Sequence, residues 1–199
     1  MSPQAVRRLW LVRHAQPQVA AGLCYGRQDI PADPAATRAA AQQLAQALPQ
    51  GLHLAHSPLQ RCELLALYLQ ALRPDLTLNA DARLREMDFG NWEGRRWDAL
   101  GRSAIDAWTA DFAAHRPGGG ESLAEMLARV AGALAEARSR AAHTEADGVW
   151  ITHAGVARCV AWLQAQGPHA LPRAEQWPVP APAFGAWETI DLRPLPPPA

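Results

Sequence analysis

The sequence contains no lysine: all 19 basic residues are arginine. Whatever genomic bias produced this, it excludes a mechanism that needs a lysine nucleophile or a lysine Schiff base. Cysteine is scarce too. Cys24, Cys62 and Cys159 are three in number, far apart and without a CxxC pair. That argues against a disulfide framework or a zinc site and fits a reducing compartment. There is no net charge, since 19 acids balance 19 bases and the pI is near 7.1. A nucleic-acid or membrane-surface partner is therefore not expected, while a local basic pocket is compatible. No apolar run reaches the length of a membrane span and the N-terminus lacks the apolar core of a signal peptide, so the expected location is cytoplasmic. What remains is a chain of 199 residues, 49% hydrophobic and 19% charged. This is the profile of a soluble globular protein, of single-domain length and able to bury a sizeable core.

The pattern along the chain alternates strand and helix. "RLWLVRH" (8–14) and "GVWITH" (148–153) are short apolar runs of the kind covered on both faces of a parallel sheet. "LHLAHS" (52–57) is a third strand, 76–86 mixes a short strand with a connection, and "FGAWETIDL" (184–192) is a final strand. A helix over 34–48 opens with Asp33 as N-cap and Pro34 at its first position. Ser57, Pro58 and Gln60 predict a capped helix running to about Leu72, and Ser122 with Glu125 opens another to about Ala142. Residues 95–114 and 156–166 are the remaining helical stretches, separated by the breaker "PGGG" (117–120). From about 168 the chain is proline-rich, and "RPLPPPA" reads as a frayed end. The expected fold class is α/β, a mainly parallel central sheet between helical layers.

Two strands end in histidine, His14 and His153, and the third ends in His56-Ser57 just before a helix start that carries Arg61. In a parallel sheet those ends share one edge, where ligands of open α/β sheets gather. Arg13, His14, Arg61 and His153, with helix N-termini pointing in, describe a site for a compact dianion such as a phosphoryl group. A lone strand-end histidine is more often structural, and His53 and His56 are read that way. "LREMDFGNWEG" (84–94) adds three carboxylates, Glu86, Asp88 and Glu93, any of which could serve as a general acid.

Taken in order, "LVRHAQP", "SPLQRC", "LREMDFGNWEG", "PGGGES" and "ITHAGVAR" resemble the motif series of the histidine phosphatase superfamily, the phosphoglycerate mutase-like fold. The resemblance runs from about Leu9 to Leu163 and implies a three-layer α/β/α sandwich. It also implies His14 as a nucleophile forming a phosphohistidine, with Arg13, Arg61 and His153 holding the phosphoryl oxygens. Glu86 is implied as the acid that protonates the leaving oxygen, in preference to Asp88 or Glu93. Tyr25, Gly26, Arg27, Glu121 and Ala154 are implied on the substrate side, and for Glu121 a structural role is equally compatible. No cofactor or metal is expected. Ala15, Pro17 and Ala154 depart from the usual motif residues, and with Pro17 a peripheral threonine hydroxyl is lost.

The chain is short where bisphosphate-dependent mutases carry an inserted cap and extra basic residues, which favours a phosphatase acting on a small phosphorylated metabolite. "CYGRQDIP" (24–31) resembles a loop of alpha-ribazole phosphatases, so alpha-ribazole 5′-phosphate is the substrate this implies, with Tyr25, Arg27 and Asp29 at the mouth. A turn shaped by Gly26 and Pro31 and capped by Asp29 is the structural alternative. A mutase-type phosphotransferase and a non-catalytic phosphate-binding module are the competing functions. Oligomeric state is open, a homodimer being one option. The segment "WPVPAPAFGAW" (177–187) either closes over the sheet edge near the site or simply packs.

Overall fold

The computed structural model describes residues 7–193; the "RPLPPPA" segment begins at its last described residue and otherwise lies outside. In chain order the elements are β1 (Arg8–Arg13), α1 (Pro34–Ala47), β2 (His53–His56), α2 (Gln60–Leu72), β3 (Leu78–Ala80), α3 (Arg102–Ala110), α4 (Leu123–Thr144), β4 (Gly148–Thr152), α5 (Ala154–Gln166) and β5 (Trp187–Asp191). The five strands form one sheet in the order β3-β2-β4-β1-β5. The first four run parallel, and β5 pairs antiparallel with β1.

The continuous apolar runs serve both faces at once, because side chains alternate along a strand. Leu9 and Leu11 of β1 and Trp150 of β4 join the core beneath α4 and α5. Trp10, Val12, Val149 and Ile151 join the opposite core, with Ala40, Ala41 and Leu44 of α1 and Leu65 and Leu69 of α2. Three layers result, as expected from the alternation. A separate small cluster of Cys24, Trp92 and Leu100, with Phe89 and Trp108 against it, anchors the loops above the sheet.

Most helix boundaries follow their caps. Asp33 accepts from the Ala36 N–H at 2.7 Å, and Ser122 with Glu125 completes a reciprocal box at the start of α4. Two expectations fail for local reasons. Residues 95–114 are not one helix: a turn of 3₁₀ helix at Trp97–Ala99 stops at Gly101, whose φ of 80° no α-helix contains, and α3 begins only afterwards. The helix at Ser57 starts at Gln60 without a local side-chain cap. Its cap comes from another loop: Asp29 Oδ1 accepts the Gln60 N–H at 2.7 Å. The Ser57 hydroxyl accepts the Leu59 N–H at 3.3 Å, just short of the helix.

Candidate active site

β1 and β4 are neighbours registered Arg13↔Thr152, so the next opposing pair along the two chains is His14 and His153. The ladder extends that far, the His14 N–H donating to the Thr152 carbonyl at 3.0 Å. The two rings meet edge to face with centroids 5.1 Å apart, and both residues are buried. Topology thus brings together two strand ends that lie far apart in sequence.

The protonation of His14 follows from its partner. Its Nδ1 lies 2.7 Å from the Ala15 carbonyl oxygen. A carbonyl only accepts, so Nδ1 carries the proton and Nε2 is left with its lone pair. Burial, then the charges of Arg61 and Arg13, press the His14 pKa down to about 3. The imidazole is therefore neutral across the physiological range. His153 is held well below the ordinary histidine value by burial and by Arg61. Its Nδ1 accepts from Arg61 Nε at 3.3 Å, so its Nε2–H donates to Ser57 Oγ at 2.9 Å. Ser57 thus joins His153 to the start of α2, since its Oγ also accepts the Leu59 N–H at 3.3 Å.

Arg61 is fully buried and has no carboxylate partner among the described residues. Besides His153, it donates to the Gln28 carbonyl at 2.8 Å and the Gly26 carbonyl at 2.6 Å. These neutral acceptors orient the guanidinium while leaving its charge uncompensated. Arg13 is half-buried, and burial lowers its pKa against the pull of Tyr25 and Glu86. The Tyr25 phenol is raised by burial while Arg13 and Arg61 pull it back. An edge with two such arginines, one of them stripped of counter-charge, is built to receive an anion.

Of the three carboxylates in the 84–94 segment, Glu86 alone reaches the start of α5. Its Oε2 accepts the Gly155 N–H at 3.0 Å and its Oε1 the Met87 N–H at 3.1 Å. Glu93 instead clamps loops, accepting from the N–H groups of Arg27, Gln28 and Phe89. Asp88 pairs with Arg27 and accepts the Gly90 N–H.

On the substrate side, Arg27 is exposed and lines a groove of about 410 Å³ with Arg85, Glu86, Arg116, Glu121 and Arg129. Arg27, Arg116 and Arg129 are ion-paired with Asp88, Glu125 and Glu121; Arg85 has no ion pair among the described residues. A second cavity of similar size, between β2, β3 and α4, holds none of these groups. Glu121 both lines the groove and forks onto Arg129, at 2.6 and 2.9 Å. Gly26 is pressed against the loop that follows Glu86: an added Cβ would come 1.9 Å from the Met87 carbonyl oxygen. Ala154 is buried at the first position of α5. Asp29 caps α2 from the Gly26 loop, its Oδ1 accepting the Gln60 N–H.

Sequence reasoning did not single out Ser57 as a partner of His153, nor Arg129, which donates to the carbonyls of Arg83 and Arg85 and so fastens the stretch that carries Glu86. Neither stands out in one dimension: Ser57 has the signs of a helix cap and Arg129 those of a solvated helix charge.

Residues 9–180 match the family described as the histidine phosphatase superfamily, branch 1. The chain belongs to that superfamily. Among solved structures, this histidine phosphatase is similar to the mycobacterial glucosyl-3-phosphoglycerate phosphatase Rv2419c, with 26% identity and a TM-score of 0.76 over 93% of this chain and 90% of that one. Related structures hold that enzyme with VO3 and with inorganic phosphate. TTHB049 from Thermus thermophilus matches at 27% identity and a TM-score of 0.67, covering 92% of this chain and 93% of that one. No curated protein matches the chain. Family and fold together make it a phosphatase with the phosphoglycerate mutase-like architecture. Among the described residues, no helix of this histidine phosphatase is long and apolar enough to cross a membrane.

The buried histidines carry a stability consequence. With the folded His14 pKa near 3 and that of His153 also depressed, the unfolded chain holds more protons below about pH 6.5. Stability is therefore lost as pH falls through that window, by up to ~1.4 kcal/mol per pH unit for each histidine. Thermal melts should show Tm falling between pH 7 and pH 5, above the range where carboxylates titrate. A Tm that stays level or rises over that interval contradicts the buried neutral pair.

Proposed function

We propose that the chain hydrolyses phosphate monoesters of a small metabolite through a phosphohistidine on His14. The observation that carries this reading is the buried, neutral His14 whose Nδ1–H is held by the Ala15 carbonyl, leaving Nε2 free beside the uncompensated charge of Arg61. In the first step Nε2 attacks phosphorus, the bond to the leaving oxygen breaks, and a protonated Glu86 supplies that oxygen with its proton. In the second step the Glu86 carboxylate takes a proton from water, the hydroxide displaces His14 from phosphorus, and orthophosphate leaves. Arg13 and Arg61 stabilise the charge on the phosphoryl oxygens in both steps, each contact being worth roughly 3 kcal/mol in the transition state. His153, with both ring nitrogens engaged by Arg61 and Ser57, orients Arg61 instead of meeting the phosphoryl group as the motif resemblance implies.

Two substrates compete. The "CYGRQDIP" loop supports alpha-ribazole 5′-phosphate, with Tyr25 and Arg27 beside the leaving group. The groove beyond Glu86 supports a more polar one: it is lined by arginines, and Arg85 is free to meet an anionic or hydroxyl-rich leaving group. Similarity to glucosyl-3-phosphoglycerate phosphatase favours the same class. A metal-free phosphatase assay across both compounds and simpler esters tests the reading. Orthophosphate release is expected, whereas isomer exchange without release points to a mutase. A folded wild-type protein that hydrolyses none of the esters sinks it.

Gly155 gives a sharper prediction. A Cβ at this position would lie 2.0 Å from Glu86 Oε1, so Gly155→Ala must push the carboxylate aside. Displacement of about 1 Å can cost roughly 100-fold in rate. The loss in kcat/KM, which reads the phosphorylation step alone, should be large for alkyl phosphates and much smaller for p-nitrophenyl phosphate, whose leaving group needs no proton. Equal losses in kcat/KM for both esters would remove Glu86 from the acid role.

A further inference from the structure

The proline-rich segment before β5 meets the histidine edge in a specific way. The Arg13 N–H donates to the Ala186 carbonyl at 3.0 Å, and the Gly185 N–H reaches the carbonyls of Arg13 at 3.2 Å and His14 at 3.0 Å. Gly185 turns with a φ of 74°. Its predecessor, Phe184, is thereby laid over the end of β1. The Phe184 ring centroid is 5.5 Å from that of His14, and the Arg13 guanidinium carbon sits 3.7 Å from the Phe184 centroid. Arg13 also donates through one terminal nitrogen to the Pro182 carbonyl at 3.1 Å.

A plain packing role explains this poorly. Phe184 is half-buried and belongs to none of the apolar clusters among the described residues. Its principal neighbours are a cation and an imidazole. Arg13 Nε is meanwhile buried without a hydrogen-bond partner, a costly arrangement unless a ligand oxygen completes it. The segment therefore secures the Arg13 guanidinium by its face and one edge, and leaves a donor unspent.

We infer that Phe184 is a positioning residue of the phosphoryl pocket: its ring fixes the Arg13 guanidinium by cation–π contact and roofs the His14 imidazole. The inference rests on the reading of Arg13 and His14 as the phosphoryl site. It goes beyond the family comparison, whose matched stretch ends at residue 180, short of Phe184. An aromatic face over a desolvated cation strengthens its placement where an aliphatic side chain of similar volume does not.

The test compares Phe184→Leu, Phe184→Met and Phe184→Tyr with the wild type, in kcat/KM for p-nitrophenyl phosphate and in orthophosphate affinity by calorimetry. Leucine and methionine fill the space without a π face, and either suffices should the other fold poorly. Each is expected to weaken orthophosphate binding roughly ten-fold and to lower kcat/KM by a similar factor, with Tm within a few degrees of wild type. Tyrosine, which keeps the face, should recover most of both. The decisive comparison repeats Phe184→Leu in an Arg13→Ala background, where its effect on binding should vanish because the cation it positions is gone. An unaltered affinity in Phe184→Leu and Phe184→Met, or an undiminished effect of Phe184→Leu without Arg13, overturns the inference alone. A wild-type protein that neither binds orthophosphate nor releases it overturns the phosphatase reading beneath it.

Discussion

His14→Ala is expected to lower kcat by about 10⁴-fold or more while orthophosphate still binds. Loss of a covalent nucleophile commonly removes nearly all of the acceleration that the catalytic group as a whole provides. Among the described residues, no neighbour can replace it. Nε2 of His153 is engaged with Ser57 and its Nδ1 with Arg61. Cys62, within 3.5 Å of His153, is held by burial far above the range in which a thiolate forms. Tyr25 is likewise shifted upward. Arg13 and Arg61 remain in the variant, so anion binding should survive, which separates a chemical defect from a folding one. Added imidazole should restore part of the activity by entering the vacated space. A His14→Ala protein with kcat within ten-fold of wild type would remove the phosphohistidine route.

The second large effect belongs to Arg61. It is wholly inaccessible and, among the described residues, bonded only to neutral acceptors, Gly26, Gln28 and His153. A buried charge of this kind costs several kcal/mol of desolvation, and an anion that neutralises it offsets that cost. Arg61→Met should lower kcat/KM by about 10³-fold, the upper end for a preorganised donor to transition-state charge. The apo protein should melt within a few degrees of wild type, because relief of desolvation counters the loss of three hydrogen bonds. The rise in Tm that saturating orthophosphate gives the wild type should disappear. Arg61→Lys should recover little, since one ammonium cannot span the Gly26 and Gln28 carbonyls in the arginine fork. If orthophosphate raises the Tm of Arg61→Met as much as that of wild type, Arg61 does not carry the anion site.

How far the sequence reveals this site depends on the kind of contact. The apolar runs at 9–12 and 149–151 speak plainly of buried strands, and histidines at their ends mark one edge of a parallel sheet. That the runs become direct neighbours, with His14 opposite His153, is a matter of strand order, which no local pattern carries. Caps repeat the lesson. Asp33 and Ser122 act within their own helices and are readable from spacing, whereas α2 is capped by Asp29 from a loop 31 residues away. Ser57 shows the converse: a residue with every local sign of a cap accepts the Leu59 N–H and also serves a tertiary partner, His153. Gly101 breaks the helix expected over 95–114 through its backbone conformation alone. Phe184 is visible in the sequence only as an aromatic in a proline-rich stretch. Its contact with Arg13 arises because β5 returns antiparallel beside β1. Residue types announce the chemistry; long-range pairing decides which of them meet.

The covalent step is the central claim, and direct trapping tests it best. Wild-type protein mixed with a ³²P-labelled phosphomonoester and quenched in alkali within milliseconds should carry label that is stable to base and labile to acid, as a phosphoramidate is. Peptide mapping should place that label on the stretch containing His14, and His14→Ala should carry none. Label on another residue, label that persists in His14→Ala, or brisk turnover with no labelled protein at any quench time would contradict the mechanism.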